Sequence, residues 1–513
     1  MAEHITDLGQ LLGRGVQFPP AGQKRQKKAD MPARLDTYQT NWALFENQHD
    51  LAYGDWSKVM NQDDQKMVEL FVNFHRRLSK LFKSLLLTEP PTFTHPLPPG
   101  SNPDTPNPGQ DYLDDLVKRT GIVTSLGADV IDMSRYGTGL LKVGYREATK
   151  SGYVTCQPPF IGDAKVIAGG WFPVVDPLNR QDVTAHVLAF LEARRELVMG
   201  LPVNRLYLHA EIHERGKITN QTWLMDGQVI NKLVEESETP TGVDDFLLVP
   251  AHNLLTSDRT WGVDDYTDID SLVHEVELRL SQISKVLDKH SEPNMQGPHQ
   301  VGATTGQTPG QAAQAQGRQP GGKPRVEVGG KYFGRLPEDP EVAYVTWDAQ
   351  MEASFKELDV LGEWIFILSE TSPAAFGQLK AGLAESGSAL RRLLLAPLLK
   401  VSGMRNEIDT QAKKALEMLS RLEVAKGVAG AVVLDQVSIE WKDGLPQDKT
   451  EDANVEAVMN GAGLASQRSS ISRVYGLVGD ALDAEVQAIE AEQKADADSR
   501  AVPTLPADPF PPA

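Results

Sequence analysis

The chain has 513 residues, of which 40% are hydrophobic and 24% charged, so it can bury substantial cores and is too long for one compact domain. Its formal charge of −19 at pH 7 argues against a protein that grips nucleic acid over its whole surface, because phosphate binding depends on clustered Lys and Arg. The single cysteine, Cys156, excludes an intrachain disulfide and a zinc site built from several cysteines.

The N-terminal region is polar first and helical afterwards. Residues 1–32 contain a short basic run, Lys24 to Lys28, and we expect them to form a flexible, solvated tail. No signal-peptide pattern and no run of about 18 apolar residues is present, so we expect a soluble chain with no membrane partner. Apolar residues at helical spacing then predict helices over Leu35–Leu51, Met67–Leu87 and Tyr112–Met133.

The section from Leu140 to Pro250 changes to the two-residue period of strands. Asp226 and Gly227 separate two of these strands and predict a two-residue hairpin turn. His209 and His213 have the spacing of a zinc-binding pair, but residues four apart on a strand lie about 13 Å from each other. We therefore expect surface histidines. The predicted strands are Leu140–Tyr145, Tyr153–Pro158, Val183–Glu192, Arg205–Glu214, Thr222–Met225 and Gln228–Lys232.

Two long amphipathic helices are predicted next, over Thr267–His290 and Asp348–Glu370. Thr267 or Asp268 is the expected N-cap of the first helix. Each helix would be on the order of 35 Å long. Neither has an obvious packing partner in the sequence other than the second helix of the pair and a neighbouring subunit. The apolar stripe of the second helix consists of Met351, Phe355, Leu358, Leu361, Ile365 and Leu368.

The segment between these helices, residues 293–340, is rich in Gly, Gln, Pro and Ala. This composition predicts a mobile first part, because it cannot bury enough surface to offset chain entropy, and short strands over Lys323–Phe333. Between Gly297 and Arg335, Glu327 is the one acid among five bases. These bases would face DNA or an acidic protein surface, or they would simply keep a flexible loop soluble. The bases are Arg318, Lys323, Arg325, Lys331 and Arg335.

No enzyme motif is complete. Gly317 to Lys323 has the spacing of a phosphate-binding loop, but Pro324 replaces the Ser or Thr that would hold magnesium, and no strand or helix flanks it. Cys156 lies in a predicted strand, where a buried thiol is expected. The acidic pairs are expected to be cap or loop residues. These pairs are Asp114–Asp115, Asp244–Asp245 and Asp264–Asp265. We expect no catalysis, no cofactor and no metal.

A long amphipathic helix is predicted over Ser386–Leu422. Pro397 lies inside it and should bend it, since proline lacks the N–H and clashes with the preceding turn. An ordinary long helix in an all-α domain gives the same pattern. The predicted elements after this helix are a strand ending at Trp441, a Gly-Leu-Pro step at 444–446, a helix, a turn, a short helix and an acidic last helix. Ser466 is the expected N-cap of the short helix, and Gly479 separates the short helix from the last one.

This closing order, the SG-x-AL start at Ser386, the SRYGTGLLKVGY turn and strand, and WFPVVDP together resemble the portal proteins of tailed bacteriophages, in particular the SPP1-like portal family. The resemblance covers about Leu35 to Lys494 and implies an α+β portal fold assembled as a ring. The implied regions are a wing (33–262), a first stem helix (263–292), a clip (293–345), a second stem helix (346–371), a tunnel loop (372–386), a long kinked helix (387–428), a crown (429–498) and a disordered tail (499–513).

The resemblance also implies a function without covalent chemistry. A ring, usually of twelve copies, would sit at one capsid vertex of the virion, after assembly in the host cytoplasm. It would meet the major capsid and scaffolding proteins, the terminase large subunit and head-completion or adaptor proteins, and double-stranded DNA would pass through it. Gln378 and Lys380 would face the DNA, and the five bases would face DNA or the motor. The alternatives are a helical virion scaffold or adaptor and, less favoured, a nucleotide hydrolase using Lys323.

Overall fold

The structure is a computed structural model with an α+β fold. It describes residues 31–53, 70–97, 106–176, 178–179, 182–198, 201–291, 295–298, 332–335, 343–344, 351–378, 387–442, 449–475, 477 and 480–500. The chain divides into two units. The first consists of residues 1–377 and 396–444, and the second of residues 378–395 and 445–513.

The first unit begins with three helices, α1 (Met31–Phe45), α2 (His49–Tyr53) and α3 (Phe74–Leu87). The helix predicted over Leu35–Leu51 is therefore two helices. The break includes Asn47, whose φ of 61° is left-handed and interrupts the helical backbone.

Strand β1 (Thr92–Thr94) and helices α4 (Pro108–Thr120) and α5 (Ile122–Tyr136) follow. The single helix predicted over Tyr112–Met133 is split at Gly121, which has a left-handed φ of 61°. Glycine adopts this conformation without a Cβ penalty, so it ends α4 before α5 begins.

The β-rich part of the first unit contains two antiparallel sheets, and it confirms the predicted strands, with several extending beyond the predicted bounds. The strands are β2 (Thr138–Arg146), β3 (Ser151–Cys156), β4 (Phe160–Gly162), β5 (Ile167–Val175), β6 (Val183–Val198), β7 (Leu201–Glu214), β8 (Lys217–Asp226), β9 (Val229–Pro240) and β10 (Leu248–His252). Strands β4 to β9 form a six-stranded meander in chain order, and the other sheet has the order β10-β2-β3.

The hairpin between β8 and β9 is confirmed, with its turn one residue later than predicted. Asp226 pairs with Val229, so Gly227 and Gln228 form the two-residue loop. Gly227 has a φ of 60°, the positive value that tight hairpin turns require.

The long helices predicted in the middle of the chain are α6 (Asp270–Ser291) and α7 (Met351–Leu368). Helix α6 begins at Asp270, so it starts later than the predicted N-cap residues Thr267 and Asp268 imply. The carboxylate of Asp264 accepts hydrogen bonds in the turn before it, at 3.0 Å from Tyr266 N and 2.8 Å from Thr267 N. A small sheet lies between the helices in the sequence, and its central strand is parallel to one neighbour and antiparallel to the other. Its strands are β11 (Met295–Pro298), β12 (Tyr332–Arg335) and β13 (Ala343–Tyr344).

After α7 come a short 3₁₀ helix (Pro373–Phe376), α8 (Gly387–Leu393), α9 (Leu395–Ala425) and β14 (Ser438–Glu440). The structure thus has an interruption at Leu394 where the sequence predicts one continuous helix. Pro397 has no N–H to bond the carbonyl of Leu393, the last residue of α8, so the helical ladder cannot run through this point. Strand β14 pairs with β1 in antiparallel register.

Two hydrophobic cores hold the first unit together. One packs α3, α4, α5 and the middle of α9, with Phe82, Leu116, Val130 and Leu416 fully buried. The other packs α1 on the six-stranded sheet around Trp171. The end of α9 is fixed by Glu423, whose buried carboxylate accepts hydrogen bonds from three groups. They are Arg119 Nη1 at 2.9 Å, Tyr112 Oη at 2.8 Å and Gly152 N at 2.6 Å.

The second unit contains α8 and, later in the chain, α10 (Lys449–Gly461), α11 (Gln467–Tyr475) and α12 (Asp480–Arg500). The predicted N-cap is confirmed, because Ser466 Oγ accepts a 3.2 Å hydrogen bond from Ser469 N. Gly479 lies outside the described residues. No helix in the described part of either unit has the length and apolarity needed to cross a membrane.

Candidate assembly surface and channel residues

Helices α6 and α7 lie side by side in the first unit and are joined by charged side chains. Arg279 Nε lies 3.2 Å from Glu357 Oε1 on α7 and 2.9 Å from Glu275 Oε1 on its own helix. Each of these three side chains is more than a third exposed, so the ion pairs contribute little stability by themselves.

One face of α7 is apolar and exposed. Val360, Trp364, Ile367 and Leu368 follow the i, i+4, i+7, i+8 spacing of a single helical face, and Trp364 and Ile367 are 52% and 62% exposed. We call these four residues the apolar face of α7. An exposed apolar stripe of this kind marks a surface that another protein element covers.

The stripe predicted for this helix is a different one. Of its members, Ile365 is buried and Phe355 and Leu368 are exposed. Val360, Trp364 and Ile367 lie outside the predicted stripe. Their sequence carries a signal, because apolar residues in 360–368 lie on more than one side of the helix. A helix that is apolar on two sides needs two partners.

The loop after α7, the predicted tunnel loop, is described up to Gln378. Phe376 packs against Phe74 at 5.3 Å and Phe366 at 5.8 Å between ring centroids. Gly377 then turns the chain with a φ of 85°, and Gln378 is exposed. Lys380, the other predicted DNA-facing residue, lies outside the described residues.

Of the five predicted bases of the clip, Arg335 lies in a described segment. It is the last residue of β12 and pairs in register with Pro298 of β11. Arg318, Lys323, Arg325 and Lys331 lie outside the described residues, as does the phosphate-loop-like sequence that contains Lys323.

The prediction for the two histidines of β7 is half right. They lie on a strand, as expected, and the side chain of His209 is partly exposed, but His213 is not a surface residue. His213 is fully buried, with Nε2 3.2 Å from Glu211 Oε1. His209 is partly buried, with Nε2 2.6 Å from Glu192 Oε2. The alternation of apolar residues gave the strand, but it did not show that the opposite side of β7 is covered too.

A buried acidic group lies where α5 meets β2 and β3. Burial, and then the charge of Asp132, raises the pKa of Asp129 well above its usual range. Burial also raises the pKa of Asp132, although Arg135 lies 2.7 Å away. Cys156 Sγ lies 3.8 Å from Asp129 Oδ1, and burial raises the pKa of its thiol. A protonated thiol next to protonated or paired carboxyls is not poised for nucleophilic chemistry.

A cavity of about 450 Å³ opens beside the loop after β10. Arg259 lines this cavity and supplies a positive charge, but this charge is paired, because Asp258 Oδ2 lies 3.5 Å from Arg259 Nη2. Burial lowers the pKa of His252 to about 4, so this histidine is neutral at pH 7. The cavity therefore concentrates no net positive charge. Among the described residues, no group of three or more His, Cys, Asp and Glu side chains is placed to hold a metal ion.

The exposed apolar surface of α7 is a feature of a protein that assembles with other chains. The family described as "Phage portal protein, SPP1 Gp6-like" matches residues 204–499. The match covers more than half of the chain, and the chain belongs to this family. Its role is therefore that of a portal protein, a structural protein of phage particles.

Solved structures with similar chains come from gene transfer agent (GTA) particles. They are described as the neck of an empty GTA particle computed with C6 symmetry, the virion of a native GTA particle, and the neck of a native GTA particle computed with C12 symmetry. Identities are 15%, 14% and 13%, and TM-scores are 0.41, 0.38 and 0.37. Each similarity covers 78% of this chain, and 89%, 89% and 88% of the other chain. No curated protein sequence matches the chain.

Proposed function

We propose that the chain is the subunit of a closed ring, of about twelve copies as the portal resemblance implies, at one capsid vertex of the virion, through which double-stranded DNA passes. The observation that carries this proposal is the apolar face of α7. Its four residues are exposed within the chain, and Glu357, which lies on the same side of the helix nearer its N-terminus, forms the ion pair with Arg279 of α6. A second copy of the chain is the occupant that we propose for this face.

The physical argument concerns burial and symmetry. Fully burying one large apolar side chain contributes about 1.5–3 kcal/mol, so a face with Trp364 at its centre can support a specific contact. In the proposed ring, this face packs on a different surface of the neighbouring copy. Head-to-tail contacts of this kind generate a ring when the rotation closes.

Charge is consistent with a channel for DNA. The chain carries a formal charge of −19, which repels phosphates over most of its surface. Weak contacts let a polymer slide, whereas a few basic positions can guide it. In the proposed ring, Gln378 and Lys380 face the DNA. The bases of residues 293–345 face DNA or the terminase large subunit.

The remaining partners follow from the portal role. We propose contacts with the major capsid and scaffolding proteins during assembly in the host cytoplasm, and with head-completion or adaptor proteins in the finished particle. We also propose that the isolated chain does not hydrolyse ATP. Phosphate release by the purified chain above a blank would contradict this part of the proposal.

Ring formation is tested by negative-stain imaging and native mass spectrometry of the purified full-length chain. We expect rings with a central hole, and we expect Trp364→Glu to shift them to smaller species, because a charge in a desolvated interface is costly. Val166→Glu is the matched control, since Val166 is 56% exposed outside α7. A wild-type chain that stays single at every concentration would overturn the proposal.

The role of the clip bases is tested separately. A variant with Gln at Arg318, Lys323, Arg325, Lys331 and Arg335 should still form rings, but it should dock the motor or package DNA less well. Normal packaging by such rings would contradict the role that we propose for these residues.

A further inference from the structure

Helix α6 carries a stripe of buried and partly buried polar residues next to its apolar one. Asp270, His274, Glu277 and Ser281 are spaced i, i+4, i+7 and i+11, so they lie along one face of the helix. Glu277 and Ser281 have no exposed surface. We call these four residues the polar stripe.

The lower half of the polar stripe holds the chain that leads into α3. Glu277 Oε1 accepts a 2.8 Å hydrogen bond from Val72 N, and Ser281 Oγ accepts a 3.0 Å hydrogen bond from Leu70 N. His49 Nδ1 of α2 lies 2.7 Å from Glu277 Oε1, and both side chains are fully buried. Two separate segments of the N-terminal region therefore converge on one carboxylate.

The upper half of the polar stripe holds α2 and α3. Tyr53 Oη at the end of α2 donates a 2.5 Å hydrogen bond to Asp270 Oδ1. The Tyr53 ring packs against His274 at 4.1 Å between centroids. His75 of α3 is fully buried, with Nε2 3.7 Å from Asp270 Oδ1. Contacts therefore extend from the first turn of α6 to Ser281, which is three turns further on.

Stability does not explain this stripe. Glu277 Oε2 is buried and has no hydrogen-bond partner among the described residues. A buried carboxylate with an unpaired oxygen is costly, and well-packed apolar side chains at such a pair are often as stable or more so. Polar pairs differ from apolar ones because they are satisfied in one arrangement only, whereas apolar surfaces tolerate sliding and rotation.

We infer that the polar stripe fixes the rotation and the axial position of α6 against α2 and α3, with Glu277 and His49 as the central positioning residues. A displacement of α6 by one residue rotates its side chains by about 100°, which would remove every contact of the stripe at once. Helix α7 lies against α6, so this setting also determines how the apolar face of α7 is presented. Only that last consequence rests on the proposed function.

The inference is tested in the single chain by thiol labelling, in a Cys156→Ala background that removes the one native cysteine. Val273→Cys places a thiol at a position that is 1% exposed, and Glu275→Cys places one where the side chain is 35% exposed. These positions point to nearly opposite sides of α6. The measured quantity is the ratio of maleimide labelling rates at the two positions, together with Tm.

With the native stripe, we expect fast labelling at position 275 and slow labelling at position 273. In the double variant His49→Leu with Glu277→Leu, we expect the ratio to fall towards one while Tm is unchanged or higher. In the conservative double variant His49→Gln with Glu277→Gln, we expect the ratio to be retained, because polar pairing at these positions remains possible.

An unchanged ratio in the leucine variant would overturn the inference. A fall in the ratio together with a lower Tm in the leucine variant, or a failure of that variant to fold, would overturn the inference too. The stripe would then stabilise the fold rather than fix the rotation and axial position of α6. Loss of the ratio in the glutamine variant would show that polarity is not what matters. None of these readouts requires a ring, so a wild-type chain that forms no rings would contradict the proposed function and leave this result standing.

Discussion

Helices α6 and α7 are neighbours with similar amphipathic sequences, yet α6 buries polar side chains and α7 exposes apolar ones. On α6, the polar residues Glu277 and Ser281 have no exposed surface. On α7, Trp364 and Ile367 are more than half exposed. Helix α6 is held inside its own chain by polar contacts to α2 and α3, whereas α7 keeps an apolar face free on the outside.

The difference shows that an amphipathic pattern does not by itself say which side of a helix faces the core. Apolar burial supplies most of the stability of a fold, so a helix that exposes apolar side chains and one that buries polar side chains both depart from the stability optimum. Such departures are expected where a surface serves assembly or where the rotation and axial position of a helix must be fixed. Both departures occur in one helix pair.

The largest effect that bears on this comparison is expected for His49→Ala. It leaves the Glu277 carboxylate buried with the N–H of Val72 as its hydrogen-bond donor among the described residues. Removing one partner of a buried pair costs about 3–5 kcal/mol of unfolding free energy, which urea denaturation would measure. His209→Ala is the matched control, because Glu192 beside it is 42% exposed and a cost of less than about 1 kcal/mol is expected there. Equal losses in the two variants would remove the distinction between α6 and an ordinary surface pair.

A matched pair of isoleucines sharpens the same comparison. Ile283 on α6 is 8% exposed and Ile367 on α7 is 62% exposed. We expect Ile283→Ala to lower the unfolding free energy of the unassembled chain by about 2–5 kcal/mol, and Ile367→Ala to change it by less than about 0.5 kcal/mol. In assembly, measured by native mass spectrometry, we expect Ile367→Ala to weaken the rings. A large loss of unassembled stability in Ile367→Ala would mean that α7 is covered within the chain.

The smallest effect is a pH dependence from the buried carboxyl on α5. The pKa of Asp129 is raised in the folded chain, so above about pH 4 the unfolded chain releases a proton that the folded chain keeps. The unfolding free energy should therefore fall as pH rises, by at most about 1.4 kcal/mol per pH unit, until the folded carboxyl also ionises. Asp129→Asn should flatten this slope in denaturation curves measured between about pH 4 and 7. Parallel curves for the wild type and the variant would show that Asp129 is ionised in the fold.

Local patterns in the sequence predicted the elements well. The alternation in residues 205–214 gave strand β7, and the Asp226-Gly227 signal gave the hairpin, because both depend on neighbouring residues alone. Breaks at Asn47 and Gly121 were missed, since one residue with positive φ is enough to divide a helical pattern. The order of C-terminal elements was sufficient for the portal resemblance, and the family match agrees with it.

The site residues were harder to predict because they depend on long-range packing. The spacing of Asp270, Glu277 and Ser281 is visible in the sequence, but nothing local shows that segments more than 200 positions away dock on that side. His213 was placed on the surface because strand alternation assumes one wet face, and this face is covered. The DNA-facing roles of Gln378 and Lys380 stay predictions.

The pairing of β1 with β14 has a consequence for how the chain is made. Thr94 and Ser438 are 344 positions apart, and at about 5–20 residues per second a ribosome needs roughly 17–70 s to cover that distance. During this time strand β1 lacks β14, the strand with which it pairs. The first unit therefore completes its fold only after β14 has been made, late in translation.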